Sequence, residues 1–311
     1  MKRHIVVQLG YGMQGKAALY DLLQSPIVDK IIVADYKPRF IEEISKINSD
    51  KVTAVVMDAF NYNSVVDLMK KADVAVDLLP GSFSFQTAKA AVEAGVDLVS
   101  AMHLVNPGEQ DPKKVKKQRD ALQVQSAEAQ KKGITILQEF GMDPGIDLVL
   151  GSKAVKELDE VHAFHSYGAG FPELTFANNP LRYTFTWSII GVIRSSYRPA
   201  KVIKRGNVVE IAADEMFSPQ NTHTLNPPDM GSPLECFPNV DSEQYAVAFN
   251  IKDKVQDMGR YIARWPGHGA FWYAMAKCGF LKEEPIICGD TYISLSVFCA
   301  SLLGPQKQFF Y

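Results

Sequence analysis

From the N-terminus to about residue 140 the chain alternates short apolar runs with longer amphipathic stretches, the pattern of a parallel sheet covered by helices. The apolar runs predict strands at 4–9, 30–34, 52–56, 74–79, 96–100 and 134–138. Between them the spacing predicts helices at 13–24, 40–47, 62–70, 84–94 and 111–132. This is doubly wound α/β order. The Lys-rich stretch from Lys113 to Arg119 contains spaced apolar residues and has Glu109, Asp111 and Asp120 as neighbours, so it reads as a solvated helix face.

Gly141-Met142-Asp143-Pro144-Gly145 marks a junction, and after a predicted helix at 146–157 eight prolines between Pro172 and Pro238 interrupt the pattern. Strands are predicted at 161–167, 201–204, 208–212 and 245–251, and helices at 254–264, 268–281 and 292–303. The fold class is therefore α/β: a doubly wound N-terminal domain over 1–143 and a second α/β domain over 144–285. A C-terminal segment, 286–311, is expected to pack back on the first domain.

The first predicted turn carries Gly10-Tyr11-Gly12-Met13-Gln14-Gly15, between a strand and a helix. In this position the first glycine permits the tight turn, the second lets backbone approach a pyrophosphate, and the third permits close helix packing. The helix N-terminal amides then receive the phosphate charge. Asp35 ends the second strand, 20 residues after Gly15, where a carboxylate accepts both ribose hydroxyl protons. NAD is the expected cofactor, because that carboxylate repels a 2′-phosphate; Lys37 and Arg39 partly compensate and leave NADP possible. Asp58 is a candidate neighbour of the adenine and equally a helix cap. Leu79 and Pro80 end another strand, either lining the nicotinamide side or making an ordinary turn.

Length and charge narrow the class further. At 311 residues the chain has room for about two domains. Lysines and arginines number 33 against 35 acidic residues, a formal charge of −2, so there is no global attraction to nucleic acid or an anionic membrane. An apolar fraction of 47% excludes broad disorder. Cys236, Cys278, Cys288 and Cys299 lack the spacing of structural zinc, so no metal is expected. With neither a signal peptide nor a membrane-length apolar run in the sequence, the expectation is a reduced, cytoplasmic protein.

Several motifs in order carry a resemblance: the glycine fingerprint, Gly141-Met142-Asp143-Pro144-Gly145-Ile146-Asp147, Gly170-Phe171-Pro172, and the stretch from Asn179 to Ser188. Glu235 to Ser242, Arg264-Trp265-Pro266-Gly267-His268 and Phe280 to Ile286 continue it. Together they make the chain similar to the saccharopine dehydrogenase family, which includes saccharopine reductase and lysine 6-dehydrogenase. The resemblance implies an N-terminal Rossmann domain over 1–143 and a second α/β substrate and dimerisation domain over 144–285, with reversible oxidation of an amine carbon to an imine and hydride passed to nicotinamide in the cleft between them. It places Asp143 at the reactive centre as an acid/base or imine-polarising group; the alternative for Asp143 is a cap on the following helix.

The departures bear on substrate. Where reductases of the family carry a cysteine before a glycine pair, this chain has Gly168. Their SYxSP stretch appears as Ser100-Ala101-Met102-His103-Leu104, making His103 a candidate catalytic or substrate contact and Ser100 a candidate contact for cofactor and substrate. WSxRG becomes Trp187-Ser188-Ile189-Ile190-Gly191, with Arg182 nearby but out of register, which weakens the case for a multiply carboxylated substrate. The end at Tyr311 suggests a trimmed substrate domain, a smaller substrate or a different oligomer edge. His165 is a further substrate-binding candidate in an aromatic strand, and His268 is poised between a crevice and a turn. The expected partners are a small-molecule amine or amino acid and a second copy in a homodimer. The opposite reading, a catalytically idle dinucleotide sensor, predicts that neither Asp143 nor His103 reaches a substrate.

Overall fold

The computed structural model describes residues 3–103, 105, 109 and 111–282. The expected helix at 292–303, the segment 286–311, Leu104, the 283–286 end of the last motif, Cys288 and Cys299 lie outside the described residues. The chain forms two compact units: Met1–Leu150 with Thr186–Ser188, and Gly151–Phe185 with Ile189–Tyr311.

In the first unit β1 (His4–Leu9), α1 (Met13–Gln24), β2 (Val28–Asp35), α2 (Phe40–Ser45), β3 (Val52–Val56), α3 (Tyr62–Met69), β4 (Val74–Asp77), α4 (Ser84–Ala94), β5 (Asp97–Ser100), α5 (Pro112–Lys132) and β6 (Ile136–Leu137) follow one another. All six strands run parallel in the order β3-β2-β1-β4-β5-β6. This is the doubly wound order whose reversal point lies beside β1. β1 feeds both faces: Val7 and Leu9 pack with Val65 and Met69 of α3 and Ala88 and Ala91 of α4, while Val6 packs with Leu19 of α1 and Phe40 and Ile44 of α2. Local chemistry sets the helix ends. Asn61 and Asp111 accept the Ser64 and Lys113 amide hydrogens as side-chain caps, and Gly133 closes α5 with φ 67°.

The second unit continues from α6 (Ile146–Lys156), which begins in the first, through β7 (Ala163–Ala169), α7 (Ile189–Ser195), β8 (Ala200–Lys204), β9 (Asn207–Ile211), β10 (His223–Leu225), β11 (Leu234–Pro238), α8 (Glu243–Ala248), β12 (Asp257–Arg264) and α9 (His268–Lys277). Its sheet runs β10-β11-β12-β8-β9, with β7 parallel to β12. One face collects Cys236, Tyr261, Ala263 and Trp265, the other Phe217, Phe237 and Trp272.

Two expectations exchange places. The predicted strand at 245–251 is the helix α8, and the predicted helix at 254–264 is the strand β12. Tyr245, Val247, Phe249 and Ile251 do alternate, but Asp241 Oδ1 accepts the amide hydrogens of Glu243 and Gln244 and starts a helix there. β12 has neighbours on both sides and is buried on both faces, which erases the alternation that marks a strand. Gly259 within it leaves room for the Tyr261 ring, whose atoms lie 2.3 Å from where a Cβ would stand.

Candidate functional site

The glycine loop leaves the carboxyl end of β1 and opens α1. Gly10 has φ 100°, and a Cβ on it would lie 2.8 Å from the Leu78 carbonyl oxygen. A Cβ on Gly15 would lie 2.3 Å from the Gly10 oxygen. Gly12 differs: a Cβ there meets nothing within 4 Å, so its missing side chain is explained by no intramolecular contact. Closed, open, closed is the spacing expected when the middle glycine admits a phosphate against backbone. Gly12 is also the N-cap of α1, without a side-chain cap. Tyr11 stacks obliquely on Phe40, Met13 is half exposed, and Gln14 Nε2 donates to the Thr186 oxygen at 3.1 Å.

Gln8, which the sequence motifs do not include, holds this loop. It is wholly buried, and its Nε2 donates to the oxygens of Gly10 and Gly15, each at 2.9 Å. A polar residue inside an otherwise apolar strand run was the available signal. Asp35 stands at the end of β2 with Oδ2 accepting the Tyr11 amide hydrogen at 2.8 Å and Oδ1 that of Lys37 at 3.0 Å. Both bonds orient the carboxylate and leave each oxygen further acceptor capacity. Beside it an open hollow of about 440 Å³ is lined by Tyr36, Lys37, Pro38 and Arg39. These features fit a nicotinamide dinucleotide: anion-accepting backbone at Gly12, and a ribose acceptor at Asp35.

At the ends of β3, β4 and β5 the candidates are placed as follows. Asp58 Oδ1 accepts the Phe60 amide hydrogen, shaping the loop before α3, and the exposed Phe60 ring lies edge-on to Phe83. Leu79 is half-buried and Pro80 exposed at the turn out of β4. Asp77, which the sequence motifs do not include, ends β4 there: it is 1% exposed, accepting the Leu79 amide hydrogen at 3.1 Å and the Ser100 hydroxyl hydrogen at 3.1 Å. Burial pushes its carboxyl up to about 6 against the lowering pull of those two donors. Ser100, also 1% exposed, thus spends its hydroxyl proton on Asp77 and accepts the Met102 amide hydrogen.

His103 and the segment after β6 come together. The Glu139 amide donates to the Met102 oxygen at 3.1 Å, the Phe140 amide to the Ser100 oxygen at 3.0 Å, and His103 Nδ1 lies 3.3 Å from Glu139 Oε1. Glu139 is absent from the sequence-based candidates, and no pattern marks it. The next turn closes on itself: the Gly141 amide donates to the Pro144 oxygen, and a Cβ on Gly145 would fall 2.0 Å from the Gly141 oxygen. Asp143 stands at the apex of that turn, half-buried, before a cis Pro144. The first amides of α6 are taken by backbone, Ile146 donating to Gly141 O and Asp147 to Met142 O.

The remaining candidates belong to the second unit. His165 is exposed on β7, its ring edge-on to Tyr261. Arg182 is exposed at the tip of a turn organised by Asn179, with φ 47°. His268 is inside the core: Nδ1 pairs with the Leu181 oxygen at 2.7 Å and Nε2 with Trp272 Nε1 at 3.0 Å. Burial pushes its imidazole down to about 4. Among the described residues no group of three or more His, Cys, Asp or Glu is arranged to hold a metal ion, and no helix is long and apolar enough to cross a membrane.

A family model described as the saccharopine dehydrogenase NADP binding domain matches residues 6–137, and one described as the saccharopine dehydrogenase C-terminal domain matches 141–308. Alpha-aminoadipic semialdehyde synthase of Arabidopsis thaliana is 30% identical over 259 residues, covering 82% of this chain and 23% of that protein. Saccharopine dehydrogenase [NADP(+), L-glutamate-forming] of Saccharomyces cerevisiae is 28% identical over 238 residues, covering 74% of this chain and 49% of that protein. The apo structure of the L-Glu-forming saccharopine dehydrogenase from Saccharomyces cerevisiae superposes with a TM-score of 0.73 at 24% identity, over 90% of this chain and 59% of that one. The chain spans about half or less of the length of these two curated relatives.

Proposed function

The chain belongs to the saccharopine dehydrogenase family, and from that membership we propose an NAD(P)-dependent oxidoreductase acting on the C–N bond of an amino acid or related amine. The observation that carries the reading is the glycine loop, closed at Gly10 and Gly15 and open at Gly12, above a carboxylate fixed by the Tyr11 and Lys37 amides. When bound, the dinucleotide supplies a hydride acceptor, so that the substrate carbon leaves as an imine.

The protein's own groups then bind and move protons. Gly12 and the first turn of α1 receive the pyrophosphate, and Asp35 accepts the adenosine ribose hydroxyls. His103 Nε2 takes the proton of the substrate ammonium, and Asp143 faces the positive charge that develops on nitrogen. NAD is the preferred cofactor in this proposal, although the matching family model is named for NADP: a carboxylate at Asp35 opposes a 2′-phosphate that Lys37 and Arg39 offset in part. Ser100 acts through Asp77 as a support of the strand ends, and His165 and Arg182 are the proposed substrate contacts of the second unit. A second copy of this chain is the proposed partner, supported by the apolar side chains Ile146, Val149 and Leu150 that α6 leaves more than half exposed. The proposed location is the cytoplasm, a reducing compartment in which the free thiols of Cys236 and Cys278 persist.

The test is the near-ultraviolet absorbance of reduced nicotinamide, followed with NAD and NADP separately against lysine, saccharopine, ornithine and diamines. Substrate-dependent reduction, faster with NAD by about ten-fold or more in kcat/KM, is the expected result, ten-fold being about 1.4 kcal/mol of discrimination. No dinucleotide binding by calorimetry would overturn the proposal at its base.

A further inference from the structure

Glu139 contributes nothing to the dinucleotide loop, yet its placement converges on His103. Its backbone is left-handed, with φ 58°, a conformation disfavoured for any residue bearing a Cβ. Such a conformation persists where its surroundings impose it. Here the amides on either side of the Glu139 carbon skeleton are tied to the strand end that carries the histidine, Glu139 to Met102 and Phe140 to Ser100. The turn that results brings the carboxylate, not solvent, to Nδ1 at 3.3 Å. The backbone of the histidine is held as well: Ser84 Oγ donates to the His103 carbonyl oxygen at 3.4 Å, and Gln138 Nε2 donates to that hydroxyl at 2.9 Å. The His103 and Glu139 side chains are largely withdrawn from water, at 26% and 18% exposure. All of this lies past the carboxyl ends of β5 and β6, the edge at which open parallel sheets hold their ligands.

We propose that Glu139 is the positioning residue of a Glu139–His103 pair, accepting the Nδ1 proton so that the neutral ring presents a bare Nε2 to the substrate amine; this rests on the amine-oxidation reading above. A neutral imidazole has one N–H and one lone pair, and an ionised carboxylate beside Nδ1 can only accept. In this proposal the carboxylate beside Nδ1 sets the tautomer, with the proton on Nδ1 and the lone pair on Nε2. In the step itself the substrate ammonium gives its proton to the Nε2 lone pair, the N–H electron pair stays on the substrate nitrogen, and Glu139 remains ionised beside the imidazolium. The carboxylate orients the ring before transfer and offsets its charge afterwards.

The experiment uses the full chain with ¹⁵N-labelled histidine. Long-range correlation spectra at alkaline pH report which ring nitrogen carries the proton, the His103 signals being assigned by their loss in His103→Gln. Wild type is expected to be protonated at Nδ1. Glu139→Gln keeps the side-chain shape without the charge. Glu139→Asn tolerates the left-handed backbone but draws the acceptor out of reach. In both, the ring should move toward protonation at Nε2, with kcat lower by roughly ten- to a hundred-fold, KM within about three-fold and an unchanged melting curve. An Nε2-protonated wild type, or variants whose tautomer does not change, overturns the assignment even where turnover is found. A changed tautomer with kcat unchanged overturns the catalytic half of it. A changed tautomer in a chain that oxidises no amine overturns the reaction reading and leaves the pair standing, so the two failures are told apart.

Discussion

Replacing Gln8 tests how the dinucleotide loop is held. Its single amide nitrogen bridges the Gly10 and Gly15 oxygens at 2.9 Å each, tying both ends of the loop from beneath while itself wholly buried. Gln8→Leu removes both hydrogen bonds, which at about 1–2 kcal/mol apiece is a loss of about 2–4 kcal/mol. Part of that returns, because Gln8 Oε1 is buried without a hydrogen-bond partner, and exchanging it for a methyl group recovers roughly 1 kcal/mol. The net expectation is about 1–3 kcal/mol. Gln8→Glu keeps the shape but turns an oxygen toward the same two carbonyls, and a buried unpaired charge costs about 3–5 kcal/mol. Urea denaturation followed by far-UV circular dichroism gives the stabilities, and calorimetric titration with NAD gives affinity, which should fall about ten-fold in Gln8→Leu if 1.4 kcal/mol of loop preorganisation is lost. A Gln8→Leu protein within about 0.5 kcal/mol of wild type, or a Gln8→Glu protein no worse than Gln8→Leu, would refute the reasoning, the first limit being the size of an ordinary surface substitution.

Three further outcomes follow from the same geometry. Gly12→Ala should fold with wild-type stability in urea but bind NAD at least ten-fold more weakly, whereas Gly15→Ala, with its Cβ driven against Gly10, should lose about 1–3 kcal/mol of stability as well; equal stability of the two variants counts against the open-and-closed reading. Asp35→Asn retains an acceptor for one of the two amides and removes the charge, so the ratio of kcat/KM for NAD over NADP should fall about ten-fold or more, measured as two initial-rate series. The pH dependence of folding carries two opposed signatures. The Asp77 carboxyl is raised from 3.8 to about 6, so its contribution is fully present below about pH 4 and is lost as pH rises to about 6; the His268 imidazole is lowered from 6.5 to about 4, so its contribution is present above about pH 6.5 and is lost as pH falls toward 4. Asp77→Asn should therefore gain on wild type as pH is raised from 4 to 7, and His268→Gln should gain as pH is lowered over the same interval, each read from urea midpoints; parallel curves for all three proteins would contradict both assignments.

The first unit is legible because its strands appear as apolar runs, β1 and β2 inside the sheet burying residues on both faces, each run within two or three residues of where the structure begins or ends it. The glycines are legible for a different reason: only a residue without a Cβ survives 2.3 Å from the Gly10 oxygen. The second unit resisted the same reading. β12, flanked on both sides, has the composition of an amphipathic helix, and the alternating residues from Tyr245 to Ile251 look like a strand until Asp241 is seen to cap them. Asp77 and Glu139 illustrate what no spacing reveals. Each is an acidic residue at a strand end, a common position for a turn, and what distinguishes them is a partner brought from another element: Ser100 of β5 for one, His103 beyond it for the other.

The two halves of the proposed chemistry are built from different materials. The dinucleotide loop presents backbone: amides at the start of α1, the Gly10 and Gly15 oxygens held by one glutamine, and a carboxylate fixed by two more amides. Such a site needs a few glycines and is indifferent to most of its neighbours. The reacting groups are side chains, where one substitution changes the chemistry. By the resemblance drawn from the sequence motifs, Gly168 in β7 stands where the reductases have a cysteine, and Ile190 where they have an arginine. His103 enters where their pattern has no imidazole. An imidazole added without an orienting partner would exchange tautomers freely and serve as an indifferent base. Glu139, held in a strained conformation by the same strand end that carries the histidine, supplies that partner.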